Sequence, residues 1–411
     1  MLRRMLRRML AVGRLEVAYA DGKVEHYGDG SGPPVRVRLN RRGEWRIGTH
    51  PELGLGESYM DGDLVVEQGD IWSVLEIMGR NMQHWPWVRR GLLARLVHAA
   101  QRRLQQWNDR ESARRNVAHH YDLSDALYRR FLDADMQYSC AYFERPDMTL
   151  EEAQAAKKAH IAAKLRLEPG MRVLDIGCGW GGMGLELAGR HGAQVAGVTL
   201  SKEQLAVAQQ RAREAGLEER AQFSLTDYRD VAGPFERIVS VGMFEHVGAP
   251  NYRAFFRQIR RLLTDDGAAV IHSIGRMDGP GITNPFIAKY IFPGGYVPAL
   301  SEVTAAVEDE GLWITDIEVL RIHYAETVLH WRERFMADRE AISALYDERF
   351  CRMWEFYLAV SELSFRYVGH MVFQLQLAKR VDALPITRTY MVDDERAGPR
   401  LARPSRRRSA A

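Results

Sequence analysis

From Arg172 onward, short apolar runs alternate with stretches of helical spacing. The runs are Arg172 to Ile176, Gln194 to Leu200, Ala221 to Asp227, Arg237 to Val241 and Ala268 to Ile274. Such runs read as strands covered on both faces, and the segments between them as the covering helices. Between the fourth and fifth runs, Phe255, Phe256, Ile259, Leu262 and Leu263 form one stripe, with Arg253, Arg257, Arg260 and Arg261 largely opposite. The pattern predicts an α/β fold built on a doubly wound parallel sheet. After the Gly- and Pro-rich stretch Gly275 to Pro298, one more strand pattern, Leu312 to Ile322, leads into helical segments reaching Arg380.

Ahead of the sheet the pattern differs. Leu15 to Tyr19 and Val35 to Leu39 alternate polar and apolar residues, divided by Asp21-Gly22, Asp29-Gly30 and Pro33-Pro34. These strand and turn signals predict a small α+β domain over 1–84, joined by a helical linker over 85–115 to a main body over 116–394. Residues 395–411, with six arginines among Gly, Pro, Ser and Ala, read as a disordered basic tail. At the other end, Met1, Leu2, Met5, Leu6, Met9 and Leu10 fall on one half of a helical wheel and Arg3, Arg4, Arg7 and Arg8 on the other. That helix suits either an anionic bilayer or its own domain.

Composition narrows the class. At 411 residues, 46% hydrophobic and 27% charged, the chain has enough apolar content for a large core, so disorder does not dominate. Cys140, Cys178 and Cys351 are too scattered for a disulfide framework or a zinc site, which suits a cytoplasmic location and no metal. No apolar run approaches the roughly 20 residues of a spanning helix. A net charge of only +3 gives no argument for a nucleic-acid partner.

The chemistry starts at V-L-D-I-G-C-G-W-G-G, Val173 to Gly182. Gly177, Gly179 and Gly182 fit G-x-G-x-x-G, with a strand before them and a helix after. A nicotinamide dinucleotide needs a carboxylate about 20 residues further on, but the second strand ends Val198-Thr199-Leu200-Ser201. Asp175, before the glycines, instead matches the ammonium and sulfonium of S-adenosylmethionine. Three reactive side chains fall at the carboxyl ends of later strands: Glu245 in G-M-F-E-H-V-G, His272 in I-H-S-I-G and Tyr324 in H-Y-A-E-T. Met136 to Phe143, M-Q-Y-S-C-A-Y-F, adds Tyr138, Ser139 and Cys140.

From about Asn116 to Arg380 these segments, together with His119 to Asp125, Gly197 to Gln204, Lys289 to Gly295 and His323 to Trp331, resemble the cyclopropane fatty acid synthases and the related mycolic acid cyclopropane synthases and methyltransferases. The resemblance implies a class I methyltransferase with a Rossmann-like sheet and helical additions. It implies that Tyr138, Ser139, Gly177, Thr199, Leu200 and Gln204 help hold S-adenosylmethionine; Asp175, just before the glycines, and Gly179 of the loop join them. It further implies that Cys140, Glu245, His272, the Ile274 backbone and Tyr324 surround bicarbonate. An alkene attacks the donated methyl, and a nearby base removes a proton from the resulting cation to close a ring. Tyr138, Tyr142, Phe143 and Tyr324 are candidates to shield that cation. Methylation without ring closure uses similar motifs and stays open. The extra N-terminal domain resembles that of synthases acting on phospholipids, so the expected partners are unsaturated phospholipid acyl chains at the inner membrane surface, reached by peripheral association and compatible with a homodimer.

Overall fold

A computed structural model describes residues 1–82 and 125–398. The expected linker helix, the start of the His119 to Asp125 motif and the end of the basic tail lie outside the described residues. The first four strands, β1 (Leu15–Ala18), β2 (Val24–Tyr27), β3 (Val35–Leu39) and β4 (Leu64–Gln68), form a sheet of order β2-β1-β3-β4. Around it lie α1 (Leu2–Met9), α2 (Arg41–Thr49), α3 (Pro51–Met60) and α4 (Ile71–Asn81). β3 buries Val35, Val37 and Leu39 and exposes Arg36 and Arg38, the alternation of a half-covered strand.

The amphipathic N-terminal helix settles inward. Leu2, Leu6, Met9 and Leu10 are buried in the core. Arg3 and Arg7 are paired with Asp21 at 2.7 Å and Glu25 at 2.9 Å. That apolar face is already covered by protein and is not available to a bilayer while the helix stays docked. The Met/Leu face is therefore not a membrane anchor in this fold.

The main sheet comprises β5 (Arg172–Ile176), β6 (Gln194–Thr199), β7 (Ala221–Leu225), β8 (Phe235–Val241), β9 (Leu263–Arg276), β10 (Trp313–Leu320) and β11 (His370–Ala378), in the order β10-β11-β9-β8-β5-β6-β7. Strands β5 to β9 pair in parallel, as the apolar runs predict. Residues 370–378 correct the expectation that helix continues to Arg380: β11 inserts antiparallel between β9 and β10. Eight of its nine residues are buried, so it shows no clean alternation by which to recognise it.

In chain order the remaining described helices are α5 (Asp125–Phe131), α6 (Leu150–Leu165), α7 (Gly182–His191), α8 (Lys202–Glu214), α9 (Tyr252–Leu262), α10 (Pro285–Tyr290), α11 (Leu300–Asp309), α12 (His323–Ala337), α13 (Arg339–Leu345), α14 (Glu348–Tyr367) and α15 (Thr389–Ala397). A second correction falls at α15, which runs past Glu395, where the loose tail is expected to begin. Glu395 accepts a contact from His160 of α6 at 3.2 Å, which ties this helix to the body.

The N-terminal unit does not stand apart. One continuous apolar cluster joins its core to α5, α12 and α14. Gly56 and Gly79 allow α3 and α4 to pack closely: an added Cβ would meet a Phe356 ring atom at 2.8 Å or Leu363 at 2.6 Å. Around this contact, Tyr59 donates to Glu355 at 2.8 Å and Lys289 meets Glu57 at 2.6 Å.

Candidate active site

Parallel strands leave their carboxyl ends free to receive a ligand where the chain order reverses. Here the reversal lies between β5 and β8, and a cleft of about 1230 Å³, partly open to solvent, occupies that place. Its walls include the ends of β5, β6 and β8, the glycine loop and the strap Met136 to Ser139. All eight residues expected at the cofactor line it: Tyr138, Ser139, Asp175, Gly177, Gly179, Thr199, Leu200 and Gln204. Gly177 has φ +79°, and a Cβ there would meet Met243 at 2.7 Å, so the loop requires glycine.

Asp175, next to last in β5, lies in this wall. One of its carboxylate oxygens is buried without a hydrogen-bond partner among the described residues. Burial raises its pKa to about 7, opposed by a hydrogen bond from the Gly184 backbone and by the charge of Lys157. A cationic ligand would supply the missing counter-charge. His246 also lines the cleft, and burial lowers its pKa to about 4, so it stays neutral there.

Cys140, Glu245, His272, Ile274 and Tyr324 lie outside the lining of this cleft, although Cys140 and Glu245 directly adjoin the lining residues Ser139 and His246. The β8·β9 ladder explains Glu245. Its last rung is Gly242 N–H to His272 C=O at 2.9 Å. The next amide on that edge, Ile274 N–H, has no β8 carbonyl left and is taken by Glu245 Oε1 at 2.6 Å. Glu245 Oε2 is buried without a hydrogen-bond partner among the described residues, and burial raises the pKa to about 7. In this structure, then, the Ile274 amide holds Glu245.

His272 lies two residues earlier on the same face of β9. The Gln374 amide of β11 meets its Nδ1 at 3.1 Å. With the amide nitrogen so placed, Nδ1 accepts and Nε2 carries the proton. Nε2 is buried without a hydrogen-bond partner among the described residues, and burial, reinforced by Lys157 and Lys164, holds the ring neutral. Glu245 and His272 thus offer one uncommitted carboxyl oxygen and one uncommitted N–H.

Cys140 and Tyr324 are tied to one another through α12. The amide after Cys140, Ala141 N–H, donates to Thr327 Oγ1 at 3.0 Å, one turn beyond Tyr324. Burial pushes the Cys140 thiol pKa far up, so it remains a thiol, and Sγ meets Ala141 O at 3.3 Å. Tyr324 packs edge-on against Trp331 and Phe365. Two of the proposed cation shields have their ring faces taken. Tyr142 stacks with His160 at 4.1 Å and with His323 at 5.0 Å, and Phe143 stacks with His330 at 5.6 Å. The ring stack commits these side chains to packing.

Sequence reading missed Lys157, Gln137 and Gln374. Lys157 carried a signal: on α6 it shares a buried stripe with Ala153, Ile161 and Lys164. Gln374 could not be found before β11 was recognised as a strand.

The mostly parallel seven-stranded sheet with its glycine loop defines an S-adenosylmethionine-dependent methyltransferase of class I, with added helices. Comparison with known proteins narrows the class. The family model described as mycolic acid cyclopropane synthetase matches residues 108–375, and the chain belongs to that family. A domain of unknown function matches residues 1–85. The chain is 38% identical over 387 residues to a tuberculostearic acid methyltransferase of Mycobacterium tuberculosis, covering 88% of this chain and 87% of the relative. It is 38% identical over 344 residues to the cyclopropane-fatty-acyl-phospholipid synthase of Escherichia coli, covering 82% and 86%. A solved mycolic acid cyclopropane synthase complexed with SAH and CTAB aligns with TM-score 0.61 at 36% identity, covering 64% of this chain and 97% of its own. The family consists of enzymes that use S-adenosylmethionine to modify unsaturated fatty acyl chains.

Proposed function

We propose that the protein adds a methylene group to the cis double bond of phospholipid acyl chains and closes a cyclopropane ring. The observation that carries this reading is the pair of uncommitted buried groups, Glu245 Oε2 and His272 Nε2, beside the cofactor cleft. S-adenosylmethionine supplies an electrophilic methyl group, and bicarbonate, when bound, a mild base. A donor and an acceptor with no hydrogen-bond partner among the described residues fit a small anion that itself carries an O–H. His272 offers its N–H. Glu245, with a pKa raised to about 7, donates when protonated and accepts when ionised. Cys140 and Tyr324 complete the proposed set, while Asp175 and the glycine loop orient the cationic donor.

The phospholipid substrate is supported by the likeness to the Escherichia coli synthase, which extends over most of both chains. Among the described residues no helix is long and apolar enough to cross a membrane. We place the enzyme in the cytoplasm, working peripherally at the inner membrane surface, with contacts other than the buried face of α1.

One observation favours a second reading, methyl transfer without ring closure: the equal identity to a tuberculostearic acid methyltransferase over an even longer span. A single experiment separates the two. Purified protein is incubated with labelled S-adenosylmethionine, bicarbonate and vesicles of monounsaturated phospholipid, and the extracted lipid is examined by proton NMR. High-field ring protons with loss of olefinic signal are expected. A methyl or exomethylene signal would select the second reading, and absence of label in lipid would reject both.

A further inference from the structure

Lys157 lies on α6 with none of its surface exposed, and its ammonium donates to Gln137 Oε1 at 2.5 Å and Ser139 Oγ at 2.9 Å. A buried lysine is costly unless it is paired. Burial lowers its pKa to about 8, opposed by Asp133 and Asp135, so it remains mostly charged at neutral pH. Other groups already hold the backbone of the strap. Gln154 Nε2 donates to Ser139 O at 2.9 Å and Gln137 O at 3.3 Å, while Asp133 accepts from Gln137 N at 2.8 Å.

What Lys157 controls is the Ser139 hydroxyl. An ammonium can only donate, so Ser139 Oγ must accept from it. The hydroxyl proton is then left for a different acceptor, and among the described residues no such hydrogen bond exists. Ser139 lines the cleft. The wall therefore presents an O–H donor backed by a positive charge, a combination that recognises a carboxylate. S-adenosylmethionine carries its carboxylate at the amino-acid end alone.

We propose that Lys157 is a positioning residue for the methyl donor: it fixes Ser139 as a hydrogen-bond donor and, by its charge, draws the donor's carboxylate to that wall. The proposal rests on the cleft being the S-adenosylmethionine site and is independent of ring closure. The test is calorimetric titration with two ligands, S-adenosylhomocysteine and 5′-methylthioadenosine. The second keeps the adenosine and thioether but lacks the amino-acid end. Lys157→Met is expected to lose roughly ten- to a hundredfold in affinity for S-adenosylhomocysteine, the range for a hydrogen bond to a charged group, with affinity for 5′-methylthioadenosine unchanged. Ser139→Ala should show the same selective loss, and the double variant should lose little more than Lys157→Met alone. Lys157→Gln keeps a donor without the charge and should fall between wild type and Met.

Equal losses for both ligands would reduce Lys157 to a structural role and overturn the proposal. So would unchanged affinities. Should Lys157→Met not fold, Lys157→Gln decides by the ratio of the two affinities, an unchanged ratio being the overturning result. A wild-type protein that binds neither ligand would instead reject the reading of the cleft.

Discussion

Glu245→Gln separates the proton chemistry of this position from its packing. The carboxyl accepts from the Ile274 amide through one oxygen and leaves the other buried without a hydrogen-bond partner among the described residues. Its pKa rises from 4.5 to about 7, chiefly through burial. A shift of that size sets about 3 kcal/mol against the ionised form. Because the folded-state pKa exceeds the unfolded one, the native protein binds the extra proton. The favourable contribution is complete below pH 4.5 and is lost as pH rises through about 7. Glutamine keeps the shape and an oxygen for Ile274, and it cannot ionise. At pH 8 the variant should therefore be more stable than wild type, by up to about 3 kcal/mol, with the gap closing near pH 5. Turnover should fall by about 10² to 10³, the scale for removing one preorganised polar partner. Urea unfolding at pH 5 and 8 in bicarbonate-free buffer gives the stabilities, and transfer of labelled methyl to lipid gives the turnover. Wild-type turnover would remove Glu245 from the chemistry. A variant less stable than wild type at pH 8 would refute the burial argument.

Two further outcomes follow from the same structure. A cation bound beside Asp175 should lower its pKa from about 7, so S-adenosylmethionine binding at pH 6.5 should release a fraction of a proton, read as a buffer-dependent heat. S-adenosylhomocysteine, which keeps the ammonium but lacks the sulfonium, should release less, and no release with either ligand would contradict the pairing. Gly56→Val would drive a side chain into Phe286 and Phe356 and should cost about 1 to 3 kcal/mol. An unchanged unfolding midpoint would count against the shared core.

The sheet was legible wherever local pattern and local structure coincide. Runs such as Val173 to Ile176 are buried on both faces and end at glycines, so both strand and loop could be read directly. β11 was hidden because its identity depends on pairing with β9, about a hundred residues earlier, and on two covered faces that erase alternation. The wheel of α1 showed its two halves but not what covers them; Asp21 and Glu25 decide that, from a hairpin whose placement is tertiary. The motifs named Glu245 and His272, yet not their partners. The Ile274 amide becomes available only because β8 stops at Val241, and Gln374 arrives on the strand that was missed. Lys157 was passed over because a lysine within a helix ordinarily points to solvent.

Helix α14 is flanked by both parts of the protein, with Gly56, Tyr59 and Gly79 of the N-terminal unit against Phe356, Glu355 and Leu363. The solved relative bound to SAH aligns over nearly its whole length while spanning 64% of this chain, so a shorter body suffices there. In this protein the short version is not recovered by scissors. Excising 1–82 would uncover the apolar flank around Phe356 and Leu363 and leave Glu355 without its tyrosine. Residues 1–82 thus supply one wall of the core in which this helix is buried.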